Sequence, residues 1–241
     1  MLSKNQFKLI NRLKKKKYRS EYQLFLVEGI KVVEEFVQSD FKSHLIFCTN
    51  EYNNDLSIKN LTVISDKELK RISEFSTPNQ ILGIFEIPNN DNVYKDGFTL
   101  ILDGVNDPGN LGTIIRMCDW FGVEQIICSP DTVDCYNPKV VQASMGSLAR
   151  VTIIYTNIIS YLKQETRPIF GALLEGENIY QKKLTKESVL VLGNEANGIS
   201  REVQKLITSK ITIPQFGKIR RTDSLNVATA TAILLSEFMR D

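Results

Sequence analysis

Three short clusters of amide, carboxylate, hydroxyl and guanidinium groups stand in the second half of the chain, each directly after an apolar run. The first cluster covers residues 103–112, and Arg116 follows it. Its glycines and proline allow a tight backbone path, and helix amides with Asn110 and Arg116 suit an anionic group such as phosphate. A turn followed by a helix N-cap explains the same residues without any ligand.

The second cluster covers residues 192–200 and has glycines five positions apart. Ile199 stands where a Walker loop requires lysine, so the sequence disfavours a nucleotide triphosphatase. A dinucleotide-binding Gly-x-Gly-x-x-Gly is also absent. Glu195 lies next to Asn194 between the two glycines, a position suited to hydrogen-bonding a ligand.

The third cluster covers residues 213–226 and leads into a segment rich in alanine. We expect Ser224 to cap the helix that follows. Small residues at the start of that helix permit close backbone packing, which is typical of a chain that passes through a crowded site.

Metal and imidazole chemistry are disfavoured by composition. His44 is the only histidine, and the four cysteines form no Cys-x-x-Cys pair. We therefore expect neither a metal site nor a disulfide framework.

The elements that must position the clusters alternate between strands and helices. Apolar runs predict strands at 99–103, 125–128, 169–173, 189–192 and 210–213, and helices at 111–121, 138–149, 158–164, 200–208 and 225–240. Strands without polar alternation are buried on both faces, which predicts a mainly parallel sheet covered by helices. Ligands on such sheets bind beyond the carboxyl ends of the strands, where the clusters stand.

The first half of the chain predicts a smaller α/β unit. Helical spacing favours two helices between residues 6 and 39, divided around 19–21, then strands at 44–49, 61–64 and 80–87 and a helix opened by Ser65 and Asp66. The polar stretch 88–97 has the breakers of a linker. The predicted division is therefore 1–88, a linker at 89–97, and 98–241.

Charge is distributed unevenly along the chain. The formal net charge is +2, but residues 1–20 carry eight basic and no acidic side chains, so the remainder is negative. Clustered lysine and arginine favour a polyanionic partner, although a solvated basic helix face is the alternative.

The order and spacing of the three clusters resemble the SpoU/TrmH family of RNA 2′-O-ribose methyltransferases, within the SPOUT superfamily. The matching segments are 106–116, 192–198 and 213–228, and residues 137–147 resemble the segment between the first two. Residues 25–33 resemble the L7Ae/L30e-like substrate-binding domain of many members. The resemblance implies a parallel-sheet α/β domain with a deep trefoil knot, and a small L30e-like α/β domain at the amino terminus.

The resemblance also implies a cofactor, S-adenosylmethionine, and a reaction, methyl transfer to a ribose 2′-hydroxyl without a metal. The positions that match the family's cofactor site are Leu192, Gly193, Ile213, Ser224 and Leu225, with Asn226 adjacent.

Five positions match the family's catalytic residues: Arg116, Asn110, Glu195, Ser224 and Asn226. The family assigns the base role to the arginine, here Arg116. Because guanidinium has a pKa above about 12, we expect Arg116 instead to clamp the substrate phosphate and stabilise developing alkoxide charge. Asn110 and Glu195 would orient the ribose and Arg116.

The partner implied is RNA, ribosomal RNA before transfer RNA. Its expected contacts are Arg12, Lys14, Lys15, Lys16, Lys17 and Arg19, with Tyr18 stacking on a base and Arg220 and Arg221 near the active site. Family members are homodimers, so we expect a homodimer. The alternatives are a transfer-RNA methyltransferase and a noncatalytic RNA-binding or ribosome-assembly protein, which would not bind the methyl donor.

The compartment expected from the sequence is the cytoplasm. No apolar run approaches the roughly 18–20 residues of a transmembrane helix. The first residues are polar and then basic, unlike a secretory signal.

Overall fold

The computed structural model describes residues 1–52, 58, 60–89, 96–217 and 224–240. The helices are α1 (Lys4–Leu13), α2 (Lys16–Tyr22), α3 (Ile30–Val37), α4 (Asp66–Ile72), α5 (Pro108–Phe121), α6 (Pro138–Ser144), α7 (Ile158–Leu162), α8 (Arg201–Gln204) and α9 (Val227–Met239). The strands are β1 (Leu24–Glu28), β2 (Ser43–Cys48), β3 (Leu61–Val63), β4 (Ile81–Glu86), β5 (Phe98–Asp103), β6 (Gln125–Cys128), β7 (Thr152–Tyr155), β8 (Ile169–Asn178), β9 (Ser188–Gly193) and β10 (Ser209–Thr212). Short 3-10 turns lie at Ser147–Ala149 and Ile179–Gln181.

The chain divides into two compact units. One contains Met1–Asn89 and Asp134–Arg150, and the other contains Asn90–Val133 and Val151–Asp241. Helix α6 therefore packs with the amino-terminal unit, although it lies between the first two polar clusters in sequence. The predicted domain division at 89–97 stays a prediction, and residues 90–95 of that linker lie outside the described residues.

The amino-terminal unit is built on a mixed sheet in the order β1-β4-β2-β3. Strand β4 runs antiparallel to β1 and β2, and β2 runs parallel to β3. One face of the sheet carries an apolar cluster that includes Ile10, Leu13 and Leu26. On the other face the rings of Phe25, Phe36 and Phe85 pack together.

The prediction of two helices between residues 6 and 39 is wrong. Strand β1 occupies Leu24–Glu28, and the break between α1 and α2 falls at residues 14–15 rather than at 19–21. Leu24–Val27 is buried on both faces, with Phe25 and Leu26 in different clusters. A short apolar run covered on both faces shows no alternation, so its period does not distinguish a strand from a helix.

The second unit is a parallel sheet in the order β10-β8-β9-β5-β6-β7. One face packs on α7 and α8 through a cluster that includes Ile101, Ile158 and Val203. On the other face α9 places Phe238 against Phe98 and Phe170, with centroid distances of 5.1 Å in both pairs. Burial on both faces explains why the strands read as continuous apolar runs.

The fold class is confirmed: a parallel-sheet α/β unit accompanies a smaller amino-terminal α/β unit. Strand β7 was not predicted, and α9 begins two residues later than expected. The trefoil knot stays a prediction, since residues 218–223 lie outside the described residues. Among the described helices, none is long and apolar enough to cross a bilayer.

Candidate active site

Two of the three polar clusters follow strands that are direct neighbours in the sheet. Strands β5 and β9 pair along their whole length, and the last pair is Asp103 opposite Gly193. The two strands therefore end at the same position along the sheet. The third cluster follows β10, which lies beyond β8 in the same parallel sheet. The carboxyl ends of parallel strands share one edge, so all three loops begin at that edge.

Asn194 holds the second cluster in a tight loop and ties it to the first. Its backbone exchanges two hydrogen bonds with Gly198, of 3.0 and 2.8 Å. Its Oδ1 accepts from the amide of Ala196, and its Nδ2 donates to the carbonyl of Gly104 at 2.6 Å. Sequence reasoning missed this role, although Asn before a Gly-containing turn is a typical signal for it.

Position 193 must be glycine because the backbone of the same loop passes close to its Cα. A Cβ at this position would lie 2.1 Å from the carbonyl carbon of Gly198 and 2.2 Å from the amide nitrogen of Ile199. Both neighbours are backbone atoms, so any side chain here would force the loop open.

The three clusters are joined by a chain of hydrogen bonds between Glu195, Asn110 and Asn226. Asn110 Nδ2 donates to Glu195 Oε1 at 2.6 Å. Asn226 Nδ2 donates to Asn110 Oδ1 at 2.8 Å. Residues separated by 85 and 116 positions in sequence therefore meet at one place.

The N-cap of helix α9 determines which group donates and which accepts in these hydrogen bonds. Asn226 Oδ1 accepts from the amides of Ala228 and Thr229, at 3.0 and 3.2 Å. Its Nδ2 is then the group that faces Asn110, whose own Nδ2 must point to Glu195. The prediction that Ser224 caps this helix is wrong, because the Asn226 side chain satisfies the first free amides.

Arg116 lies on the solvent-exposed stripe of α5, with Thr113 and Trp120. It follows Asn110 by six residues, about 9 Å along the helix axis. Its side chain is exposed, and none of the described residues forms a hydrogen bond or an ion pair with its guanidinium.

The positions expected to hold the cofactor provide backbone groups and apolar surface. Leu192 is only 2% exposed, so its backbone is the part available to a ligand. Gly193 and Ile213 are half-buried, Leu225 is 48% exposed, and Ser224 is exposed. The described residues contain no cluster of three His, Cys, Asp or Glu side chains that could hold a metal.

The basic residues near the amino terminus have different environments. Lys15, Lys16 and Lys17 are exposed. Lys14 forms an ion pair with Glu74 at 2.5 Å. Arg220 and Arg221 lie outside the described residues.

Arg19 differs from the other predicted RNA contacts. It is 2% exposed, and its guanidinium donates to Asp134 Oδ2 at 2.9 and 2.5 Å and to the carbonyl of Leu13 at 3.0 Å. An arginine that is buried and bound to a carboxylate and a carbonyl of the protein is not accessible to a phosphate. We therefore correct its predicted role: Arg19 joins α2 to the segment that contains α6.

Both halves of the sequence match known protein families. Residues 97–236 match the SpoU rRNA Methylase family, and residues 4–83 match the MRM3-like substrate binding domain. This chain belongs to the SpoU rRNA methylase family. The family resemblance expected from the three clusters is thereby confirmed.

Several known proteins are similar to this chain over nearly its whole length. The 23S rRNA (guanosine(2553)-2′-O)-methyltransferase RlmP of Bacillus subtilis is 31% identical over 231 residues, which cover 93% of this chain and 92% of RlmP. A structure of a TrmH-family protein from Porphyromonas gingivalis is 38% identical with a TM-score of 0.88, covering 99% and 98% of the two chains. An AdoMet-bound rRNA methyltransferase from Sinorhizobium meliloti is 29% identical with a TM-score of 0.86, covering 99% and 96%.

Proposed function

We propose that this protein transfers the methyl group of S-adenosylmethionine to a ribose 2′-hydroxyl of ribosomal RNA. The observation that carries the proposal is the hydrogen-bond chain from Glu195 through Asn110 to Asn226, which unites one residue from each cluster. Membership of the SpoU rRNA methylase family and the similarity to RlmP and to an AdoMet-bound rRNA methyltransferase support the same reaction.

The residues at the strand ends fit this cofactor by their chemistry. An adenosine-containing ligand needs apolar contact and a few convergent polar groups. Leu225 and Ile213 offer apolar surface, while Leu192, Gly193 and Ser224 offer backbone or hydroxyl groups. When bound, S-adenosylmethionine supplies a methyl group activated by a neighbouring sulfonium charge.

The side chains of the protein position the ribose and stabilise charge. Arg116 keeps its proton, clamps the substrate phosphate and stabilises the alkoxide that forms as the hydroxyl loses its proton. Glu195, Asn110 and Asn226 hold their orientation through the chain fixed by the α9 cap. Such positioning lowers the activation barrier by holding the reacting atoms in line.

The substrate proposed is 23S ribosomal RNA, and the first nucleotide to examine is the equivalent of the guanosine named for RlmP. Lys15, Lys16 and Lys17 are exposed cations suited to RNA phosphates, and residues 4–83 match a substrate-binding domain. The enzyme works as a cytoplasmic homodimer without a metal.

The test combines cofactor binding with turnover. Calorimetric titration should give saturable binding of S-adenosylmethionine, and ribose-methylation mapping should show one 23S rRNA position that loses its methyl group when the gene is deleted. Binding without any lost methylation site, in ribosomal or transfer RNA, would refute the enzymatic role. A protein that binds RNA but not the methyl donor is a scaffold.

Arg116→Lys is the matching variant for the chemistry. It should leave cofactor affinity within about twofold and reduce turnover by about 100-fold or more, because lysine lacks the planar bidentate fork. Arg201→Lys, on an exposed arginine of α8, serves as the control and should keep full turnover. Near-normal methylation by Arg116→Lys would refute the clamp.

A further inference from the structure

A basic cleft lies between α1 and α2 in the amino-terminal unit, separate from the three clusters in sequence. Its volume is about 360 Å³, and it is lined by Phe7, Lys8, Asn11, Arg12, Lys15 and Tyr18. The lining contains three cations, two aromatic rings, one amide and no carboxylate.

The helical period of α1 brings these residues to one side. Phe7 and Asn11 are four residues apart, as are Lys8 and Arg12, so each pair lies on one face of the helix. Ile10 and Leu13 point into the core and fix the helix to the sheet. A capping box between Ser3 and Gln6 holds the first turn.

Two cations near the cleft have acidic partners, whereas the cations that line it have none among the described residues. Lys14 pairs with Glu74 and Arg19 with Asp134, and neither of these cations lines the cleft. Within the described part of the chain, no carboxylate forms an ion pair with Lys8, Arg12 or Lys15. The cleft therefore concentrates positive charge that its surroundings leave uncompensated, which favours an anionic ligand.

The cleft also presents planar groups in a fixed arrangement. The Arg12 guanidinium lies 5.2 Å from the centre of the Tyr18 ring and donates to the Tyr22 hydroxyl at 2.5 Å. Asn11 Nδ2 donates to the carbonyl of Phe7 at 3.0 Å, so its Oδ1 remains an acceptor. Guanidinium and phenol planes stack on bases, and an amide oxygen accepts from an exocyclic amino group.

We propose that this cleft binds one unpaired nucleotide of the RNA substrate, away from the methylated ribose. Lys8 and Lys15 contact the phosphates, and Asn11 contacts the base edge. The base stacks on the Arg12 guanidinium, which itself lies over the Tyr18 ring and is held there by it. The inference rests on the proposed function for the identity of the polymer. A paired helix hides its base faces, so a cleft with planar walls favours a single strand.

The test measures binding of fluorescein-labelled oligoadenylate and oligouridylate, each eight nucleotides long, to the full chain by anisotropy across a salt series. A blunt duplex of the same length is the competing probe. The cleft variants are Tyr18→Ala, Tyr18→Phe, Asn11→Ala and the double variant Lys8→Ala/Lys15→Ala. The control is Lys31→Ala/Lys67→Ala, which removes the same charge from exposed sites of the same unit.

Tyr18→Ala should weaken single-strand binding about tenfold or more, and Tyr18→Phe should keep the affinity of the unaltered chain within about twofold. Asn11→Ala should weaken oligoadenylate more than oligouridylate, because uracil has no exocyclic amino group. The lysine double variant should reduce the slope of log K against log salt by about 1.4, since each phosphate contact on a single strand contributes about 0.7. The control double variant should leave the slope unchanged.

Equal slopes for the cleft and control variants, equal affinity for single strand and duplex, or full binding by Tyr18→Ala would overturn the assignment. Thermal unfolding of each variant excludes a folding defect. Titration with S-adenosylmethionine separates the two proposals: a chain that binds oligonucleotide through the cleft but not the methyl donor refutes the proposed function alone. Methylation that is insensitive to the cleft variants, with unchanged KM for RNA, refutes the cleft alone.

Discussion

Replacing Asn226 by aspartate separates the two tasks of this side chain. In the protein as it stands, Oδ1 caps α9 and Nδ2 donates to Asn110. Aspartate keeps the acceptor for the cap, and Asp and Asn are equally good caps. It removes the donor, so that two carboxylates, at 226 and at Glu195, compete for the single amide group of Asn110.

The magnitudes follow from these contacts. The free energy of unfolding should change by less than about 0.5 kcal/mol because the cap is kept. A hydrogen bond to a charged group contributes about 1.5–3 kcal/mol when buried, and these groups are largely exposed, so about 1–2 kcal/mol is expected for the lost orientation. If that loss falls on the transition state, kcat/KM decreases by about 5- to 30-fold.

The assay is methyl transfer from tritiated S-adenosylmethionine to a 23S rRNA transcript, with thermal unfolding of the same samples. Asn157→Asp is the matched control, because Asn157 caps α7 through the amide of Ser160 and takes no part in the chain of three residues. Asn226→Ala should lose both tasks, lowering stability by about 1 kcal/mol as well as the rate.

A second substitution tests the direction of the chain. In Asn226→Asp/Glu195→Gln, Asn110 can donate to position 226 and accept from position 195, so every contact is again satisfied. The combined loss should be smaller than the sum of the single losses by about 0.5 kcal/mol or more. Strictly additive losses, or an Asn226→Asp variant within twofold of normal rate, would show that orientation of Asn110 does not limit the reaction.

Three other predictions concern stability and the cofactor loop. Asp134→Ala leaves Arg19 as a buried cation without its carboxylate and should lower the free energy of unfolding by about 3–5 kcal/mol in urea titrations, whereas a loss below 1 kcal/mol would mean that water reaches the guanidinium. Hydrogen bonds from Arg167 lower the pKa of Glu165 to about 2, so the contribution of this carboxylate to stability is complete above pH 4.5 and is lost as the pH falls towards 2. Because solvent screens the pair, the unaltered chain should be more stable than Glu165→Gln by about 1 kcal/mol at pH 7, and the difference should shrink below pH 4.5; a pH-independent difference would contradict this. Gly193→Ala forces a Cβ onto the Gly198 backbone and should weaken S-adenosylmethionine binding in calorimetry by about tenfold or more, so unchanged affinity would show that the loop is not part of the cofactor site.

The sheet of the second unit was predictable because the sequence of its strands is apolar without interruption, which indicates burial on both faces. Uninterrupted apolar runs such as residues 125–128 and 189–192 require cover on both faces, and the observed strands β6 and β9 contain them. Strand β7 was missed although Thr152–Tyr155 consists of β-branched and aromatic residues, which favour a strand.

The sequence predicted that the three polar clusters lie close together, but it did not predict which of their side chains form hydrogen bonds with each other. Parallel strands place their ends at one edge, which indicates that residues near 110, 195 and 226 converge. Which atom donates to which depends on the helix cap at Asn226, two residues beyond the Ser224 cap expected from residue preference. Serine and asparagine are both good caps, so local preference alone does not choose between them, and the backbone path into α9 decides.

Residues 1–20 show why the number of basic residues in a segment locates a polyanion-binding site only approximately. Arg19 and Lys15 contribute equally to the net charge, yet Arg19 is buried against Asp134, a residue 115 positions away. That distant partner turns a predicted RNA contact into a link that fixes α2 to the segment containing α6. The cations that stay available are those whose helix face meets no acidic element, and this depends on what packs nearby rather than on the segment itself. Removing Asp134 therefore tests stability, whereas removing Lys8 and Lys15 tests binding, although all three side chains are charged.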